Sequence, residues 1–461
     1  MFQWRIITGD YIGDYGLALA HPLYILIGQI FLFIPTGEMA FRLNFASGIG
    51  MSIALANIAV LAFQFTGRRW IGIATALMLS VMHTVWWLST ITEVYTWNVA
   101  FMTGELLLIV HLIRAPKWQT AVALAFLNGL NLSIHNLALL ALPVYIVVLI
   151  VLVKKRRLPA WTLAASAAGF VSGSSLYIIM MISLALGKGD LWKAVSSALF
   201  GRYTSEVLNV QTSWRFLKYN AALSLLNFVN FSVPLAVIGW FGMKRCLGGF
   251  LTVALMAITV IHFGFFIRLS LPDQFTFFLP SLVMIMLAAS VGISVLAEKS
   301  GKWRIGVIFA CAFSVIMPPI IYAKAPKIIE LAGMKVERER PRPFRDEIRY
   351  WTIPWKHNER SAEQFAEAAL KQALPNGIII SDTTAYYPLV LVQQRDNTTA
   401  AEVSVKLSDI NKKQNLQNIL LNRSVFIVLP EFKFLAPDIM TRIDISRKEE
   451  DVLYSVKWTK H

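Results

Sequence analysis

Apolar runs of about 20 residues recur along most of the chain, each long enough to cross the hydrocarbon core of a bilayer. They lie near 38–65, 71–90, 95–113, 118–134, 137–153, 160–185, 220–243, 248–268, 275–297 and 303–323. With no water in that core, each backbone N–H and C=O must be satisfied inside the chain, so runs of this length and composition read as helices. The expectation is an α-helical multi-pass membrane protein with about ten transmembrane helices. Charge agrees: 15% of the 461 residues are Asp, Glu, Lys or Arg, where a soluble domain carries roughly a quarter.

A formal net charge of +16 would suggest nucleic acid in a soluble protein. Here the cations cluster in every second connection: Arg68 and Arg69, Arg114 and Lys117, Lys154 to Arg157, Lys244 and Arg245, and Lys299, Lys302 and Arg304. That periodicity orients a membrane protein, with these loops in the cytoplasm, and no nucleic-acid partner is expected. The opposite side then receives the N-terminus, "STITEVYT", "SIHN", the long 186–219 segment, "RLSLPDQF" and everything after 324. Lys188, Lys193, Arg202, Arg215 and Lys218 in the long segment run against this orientation, but long translocated loops obey the rule weakly. The opening "MFQWRIITGD" has no signal-peptide pattern. An N-terminus outside with no span before it implies either a translocated short tail or a lost upstream helix, and the second is favoured. The stretch 21–34, too short to span upright, reads as an interfacial helix with Pro22 in its first turn.

Composition changes after 323, dividing the chain into a membrane domain, 1–323, and an extracytoplasmic α/β domain, 324–461. "SAEQFAEAALKQAL" (361–374) has helical spacing, "GIIIS" (377–381) and "SVFIVLP" (424–430) read as short buried strands, and a helix is expected at 408–421. Cys246 and Cys311 have no ligand spacing, and no Walker loop, His-Glu-x-x-His or Cys-x-x-Cys occurs. An ATP-driven pump and a zinc protease are disfavoured, no metal ligands are assigned, and dependence on a divalent metal stays open.

Ionisable groups near a membrane are costly, so several on one face call for a reason. That face collects Asp10, Asp14, Glu93, His135 and Asp273 with Gln274. Asn128, Asn131 and His135 recur at helical spacing, as either a polar stripe lining a cavity or an interhelical hydrogen-bonding seam. Glu93 is either a helix cap or a pocket residue, whereas Glu105 and His111 read as structural. A carboxylate such as Asp10 or Asp14 suits a general base that removes a proton from an attacking hydroxyl. His21, Arg42, His135 and Arg268 offer partners to a leaving phosphate.

"GDYIGD", "LALAHPLYILIGQIFLFIP", "FRLNFASGI", "WWLSTITEVYTWN", "NGLNLSIHN", "PDQFTFFLP" and "RPFRDEIRYWTIPWKHNE" together resemble the GT-C integral-membrane glycosyltransferases, in particular their protein O-mannosyltransferase-like group. The resemblance implies a GT-C-like membrane domain and a polyprenyl- or dolichyl-phosphate sugar donor used on the extracytoplasmic side, without a nucleotide sugar. It places the catalytic base in the first outer loop, at Asp10 with Asp14 as second choice. Glu93 and Tyr95 match the family's Glu-Val-Tyr element and His135 its Asn-His-like element. The family's longer His-Pro element is shortened here to His21-Pro22-Leu23-Tyr24, and the span that usually precedes the acidic loop is absent. Substrate contacts are thus expected from His21, Tyr24, Arg42, Glu93, Tyr95, Asn131, His135, Asp273 and Gln274. The expected activity is transfer of a monosaccharide to a hydroxyl of a protein or glycan acceptor, in a bacterial inner membrane. The rivals are a transporter or lipid flippase, and an inactive scaffold of the same fold.

Overall fold

The computed structural model describes residues 1–208, 214–269, 271, 273–299, 301–333, 342–373, 377–396, 402–406, 423–429 and 443–458. Two compact units emerge, one of Phe2–Met334 with Trp351–Lys356, the other of Met1, Lys335–Tyr350 and His357–His461.

In the first unit α1 (Phe2–Thr8) precedes the acidic loop, and α2 (Pro22–Leu32) follows it, starting on the proline whose fixed φ suits a first helical turn. The membrane helices follow as α3 (Met39–Thr66), α4 (Arg69–Ser80), α5 (His83–Ser89), α6 (Tyr95–Arg114), α7 (Trp118–Ile134) and α8 (Leu142–Lys154). Next come α9 (Thr162–Gly173), α10 (Ser175–Lys188), the amphipathic α11 (Leu191–Phe200), α12 (Thr204–Leu208) and α13 (Trp214–Leu225). The unit closes with α14 (Ser232–Leu247), α15 (Gly249–Arg268), α16 (Leu279–Ala297) and α17 (Gly301–Leu331). The last helix runs to Leu331, with Tyr322 and Ala325 the last residues on its buried side.

Among the described residues six helices are long and apolar enough to span alone, and up to nine spans result if each bent pair counts as one. The expected ten is therefore approximate. The regions expected at 71–90, 160–185 and 220–243 are not straight: α4 and α5 meet at 75°, α9 and α10 at 71°, and Asn220–Phe228 meets α14 at 77°. Hydropathy is blind to such bends because it counts composition, not direction. Two breaks satisfy each other: the Thr84 N–H donates to Asn227 Oδ1 at 2.8 Å, and Asn227 Nδ2 donates to Thr84 Oγ1 at 2.9 Å. Backbone groups freed at a bend are thus re-paired by a neighbouring helix, as hydrocarbon requires.

The basic connections share one end of the bundle. Arg68, before α4, lies 3.8 Å from Glu298, after α16. Lys155 sits over Phe250 at the start of α15, and Trp118 meets Trp161 at the starts of α7 and α9.

In the second unit α18 (Glu347–Thr352) starts with buried Glu347, held by Arg345 in two hydrogen bonds of 2.8 Å. α19 (Ser361–Ala373) and α20 (Thr383–Asp396) pack Phe365, Ala369 and Leu389 on Ile379 of the sheet. That sheet has strands β1 (Ile378–Ser381), β2 (Glu402–Lys406), β3 (Val425–Ile427), β4 (Ile443–Ser446) and β5 (Tyr454–Trp458), ordered β2-β1-β3-β5-β4. β1 is parallel to β2 and β3, and β5 is antiparallel to β3 and β4. The expected helix at 408–421 lies outside the described residues.

Candidate active site

The polar ends of four elements meet at the end of the bundle opposite the basic connections. α1 carries buried Arg5 on the inner side of the acidic loop. Its guanidinium donates to the carbonyls of Asp10 (3.1 Å), Leu19 (2.8 Å) and Ala20 (2.6 Å), and its Nε lies 3.7 Å from Asp10 Oδ2. One cation therefore ties the start of the loop to the residue before His21. Nothing in the sequence singled out Arg5, because it sits in a short apolar helix with no motif around it.

The Asp10 carboxylate is 43% exposed, and its Oδ1 accepts hydrogen bonds from the N–H groups of Ile12 (3.2 Å) and Gly13 (2.8 Å). It is held still without being sealed off. Asp14 is exposed further along the loop. The loop is clasped from outside by α11: the Leu17 N–H donates to Ser197 Oγ, and the Arg202 N–H donates to the Tyr15 carbonyl. Gly16, at φ 88°, allows this approach, since a Cβ there would stand 2.8 Å from the Gly201 Cα.

His21 occupies the left-handed region (φ 51°), rare for a residue with a side chain and stored here just before Pro22, which disfavours the ordinary helical alternative. Its Nδ1 lies 2.8 Å from the Ile134 carbonyl, so Nδ1 carries the proton and Nε2 is left as an acceptor. The ring stacks on His135 at 4.9 Å and 20°. His135 follows the last residue of α7, and its own Nδ1 accepts from the Leu137 N–H at 3.1 Å, which puts its proton on Nε2. Burial holds both imidazoles low, His135 at about 4, and His135 further lowers His21. Both are neutral at pH 7 and act as hydrogen-bonding groups rather than as standing cations for a phosphate.

Tyr95 at the start of α6 and Phe277 in the 3-10 turn Gln274–Phe278 lie beside His135, at 5.3 and 6.1 Å between ring centroids. Glu93 lies two residues before α6, with Val94 between them at the helix N-cap. Burial and the charge of Asp273 push its carboxyl up to about 7. Ser47 fixes this loop, exchanging hydrogen bonds with the Glu93 backbone. Tyr24 is buried from α2, close enough to feel the Glu93 charge. Asp273 is exposed, whereas Gln274 is buried and donates its amide Nε2 to the Phe266 carbonyl at 2.7 Å, with its Oε1 unpaired.

Two expected contacts are drawn elsewhere. Arg42 donates to the carbonyls of Leu32, Thr36 and Gly37, closing the turn between α2 and α3. Asn131 donates to Glu105 Oε1 (2.8 Å) and accepts from Asn98 (2.9 Å), while Asn128 and Tyr145 donate to Glu105 Oε2. Asn128 and Asn131 are thus a seam around a fully buried Glu105, leaving His135 alone of that stripe at the site. Helical spacing says that three residues share a face, not what the face meets. A second residue without a sequence signal is Lys356, whose Nζ lies 4.9 Å from the Trp87 ring centre. Trp351 and Phe275 flank that indole, and the Thr90 hydroxyl donates to the Pro354 carbonyl.

Apolar bent helices and a polar cluster at one end define an integral multi-pass membrane protein of GT-C architecture, and solved structures share that fold. ArnT from Cupriavidus metallidurans bound to undecaprenyl phosphate superposes with a TM-score of 0.58 at 10% identity, covering 99% of this chain and 92% of that one. The apo ArnT structure gives 0.55 at 11%, covering 99% and 91%. Residues 14–158, which include His21, Glu93, Tyr95 and His135 but begin after Asp10, match the model of the protein O-mannosyl-transferase TMEM260 N-terminal domain. The chain thus shares the ArnT fold along nearly its whole length, and over residues 14–158 it is similar to an O-mannosyl-transferase domain.

Proposed function

We propose that the protein transfers a monosaccharide from a polyprenyl- or dolichyl-phosphate donor to a hydroxyl of a protein or glycan acceptor, on the extracytoplasmic side of a bacterial inner membrane. The observation that carries this reading is the convergence of the acidic loop, Glu93, the His21–His135 stack and Asp273 at the end of the helices away from the basic connections. Asp10 is the general base: a fixed and partly open carboxylate takes the acceptor proton as the oxygen attacks the anomeric carbon. The bond from that carbon to the phosphate oxygen breaks, the lipid phosphate leaves with the electron pair, and the configuration inverts. The His135 Nε2–H and the cations of Lys356 and Arg268 suit the leaving phosphate, and Glu93, Tyr24 and Tyr95 suit the sugar. The undecaprenyl phosphate bound to ArnT supports a lipid-phosphate donor. The soluble unit is proposed to be extracytoplasmic, from the alternation of charge among the connections.

A transporter would use helix breaks to hold its solute. Here the α4–α5 and Asn227 breaks are bonded to each other, which favours the enzyme. The test is mass spectrometry of membranes containing the protein, incubated with isotope-labelled polyprenyl-phosphate sugars. Labelled acceptor formed by wild type and lost in Asp10→Asn is expected. Label crossing reconstituted vesicles with no covalent product would overturn the proposal.

A further inference from the structure

The far end of α7 poses a separate question. α7 and α9 pack in parallel with a constant offset: Trp118 meets Trp161, while Gly169 and Gly173 lie against the backbone of Phe126 and Leu130. The Gly169-x-x-x-Gly173 spacing permits that approach, since a Cβ on Gly173 would stand 2.1 Å from the Phe126 carbonyl oxygen. The close contact leaves an apolar groove alongside it, lined by Val122 and Phe126 of α7 and Ala165, Ala168 and Ser172 of α9. From Trp118 to Phe126 it runs about 12 Å at the helical rise. The two tryptophans, 42% and 52% exposed, stand at its basic end.

The connections at that end, 114–117 and 154–161, contain six Lys or Arg and no acid. The side chains of Lys117, Lys154, Arg156 and Arg157 are exposed and make no hydrogen bond or ion pair among the described residues. Parallel packing also sets the positive dipole ends of two helices side by side. An acyl-sized apolar groove under an unneutralised cationic rim fits one kind of occupant. We propose that it binds an anionic glycerophospholipid, an acyl chain in the groove and the phosphate on the rim. His135 lies at the other end of the 17-residue α7, about 25 Å away at the helical rise, so this site is separate from the candidate active site and stands whether or not the transferase reading holds.

The full-length protein in detergent, titrated with phosphatidylglycerol or phosphatidylcholine of matched chains, tests this by counting retained lipids in native mass spectrometry. Wild type should retain phosphatidylglycerol preferentially. Lys117→Gln and Arg157→Gln should each weaken retention about fivefold, the value of one cation at a lipid surface. Ala168→Phe or Ser172→Phe, which fill the groove from its lipid side, should reduce phosphatidylglycerol to the phosphatidylcholine level, with an unchanged thermal transition as the folding check. Equal retention of the two lipids by wild type would overturn the proposal. So would full retention in both groove-filling variants, or displacement of the bound lipid by inorganic phosphate alone.

Discussion

The imidazoles of His21 and His135 stack 4.9 Å apart, one entering α2 and the other leaving α7. Neither ring can charge without setting a cation against its neighbour in a buried place, and both are accordingly held below the ordinary histidine value. The stack joins the acidic loop to the centre of the bundle.

That stack gives an acid limit to stability. A histidine whose folded value lies below its unfolded 6.5 favours the native state above that pH, and the contribution is lost as pH falls from 6.5 towards 4. Thermal unfolding in detergent should show a falling midpoint over this window. His135→Phe should flatten that fall while lowering transfer, and an unchanged slope in the variant would refute the assignment.

Asp10→Asn keeps the shape of the loop but cannot accept the acceptor proton. Loss of roughly 100- to 10,000-fold in transfer rate is expected, the range for a general base, with little change in thermal stability. Asp14→Asn, exposed and further along the loop, should cost much less. Initial rates with labelled donor decide between them.

Glu93 has the opposite sign to the histidines. Its folded value of about 7 stands above the ordinary 4.5, so the native state holds this proton more tightly. The associated stability is present below 4.5 and is lost as pH rises through 7. Glu93→Gln should therefore gain stability relative to wild type at pH 8 more than at pH 4, read from paired melting curves. A difference independent of pH would refute a raised Glu93.

Glu105 accepts from Asn128, Asn131 and Tyr145. Glu105→Leu strands those donors in an apolar interior and should destabilise by about 2–4 kcal/mol, given roughly 1–3 for each unpaired buried group and partial rescue within the membrane. Glu105→Gln retains an acceptor oxygen and should cost less. Chemical or thermal unfolding of the two variants compares them directly.

The sequence made the helices legible because burial in lipid demands long apolar runs, and the soluble strands β1 and β3 because "GIIIS" and "SVFIVLP" are short apolar runs between breakers. It missed α20 and the strands β2, β4 and β5; these strands alternate in type, but over four or five residues the alternation is too short to stand out. At the site, residue type marked Asp10, Glu93 and His135, but not Arg5 or Lys356, which matter through what they touch. Asn131 and Arg42 show the converse: polar residues in plausible places, already committed to other partners.

What the sequence alone determined is the solvent of this protein, because transfer into hydrocarbon is additive over residues and needs no partner. What only tertiary structure decided is which polar groups remain available for chemistry. A hydrogen bond consumes a donor and an acceptor together, and Glu105, far from Asn131 in the chain, had to be in place before either could be removed from the site.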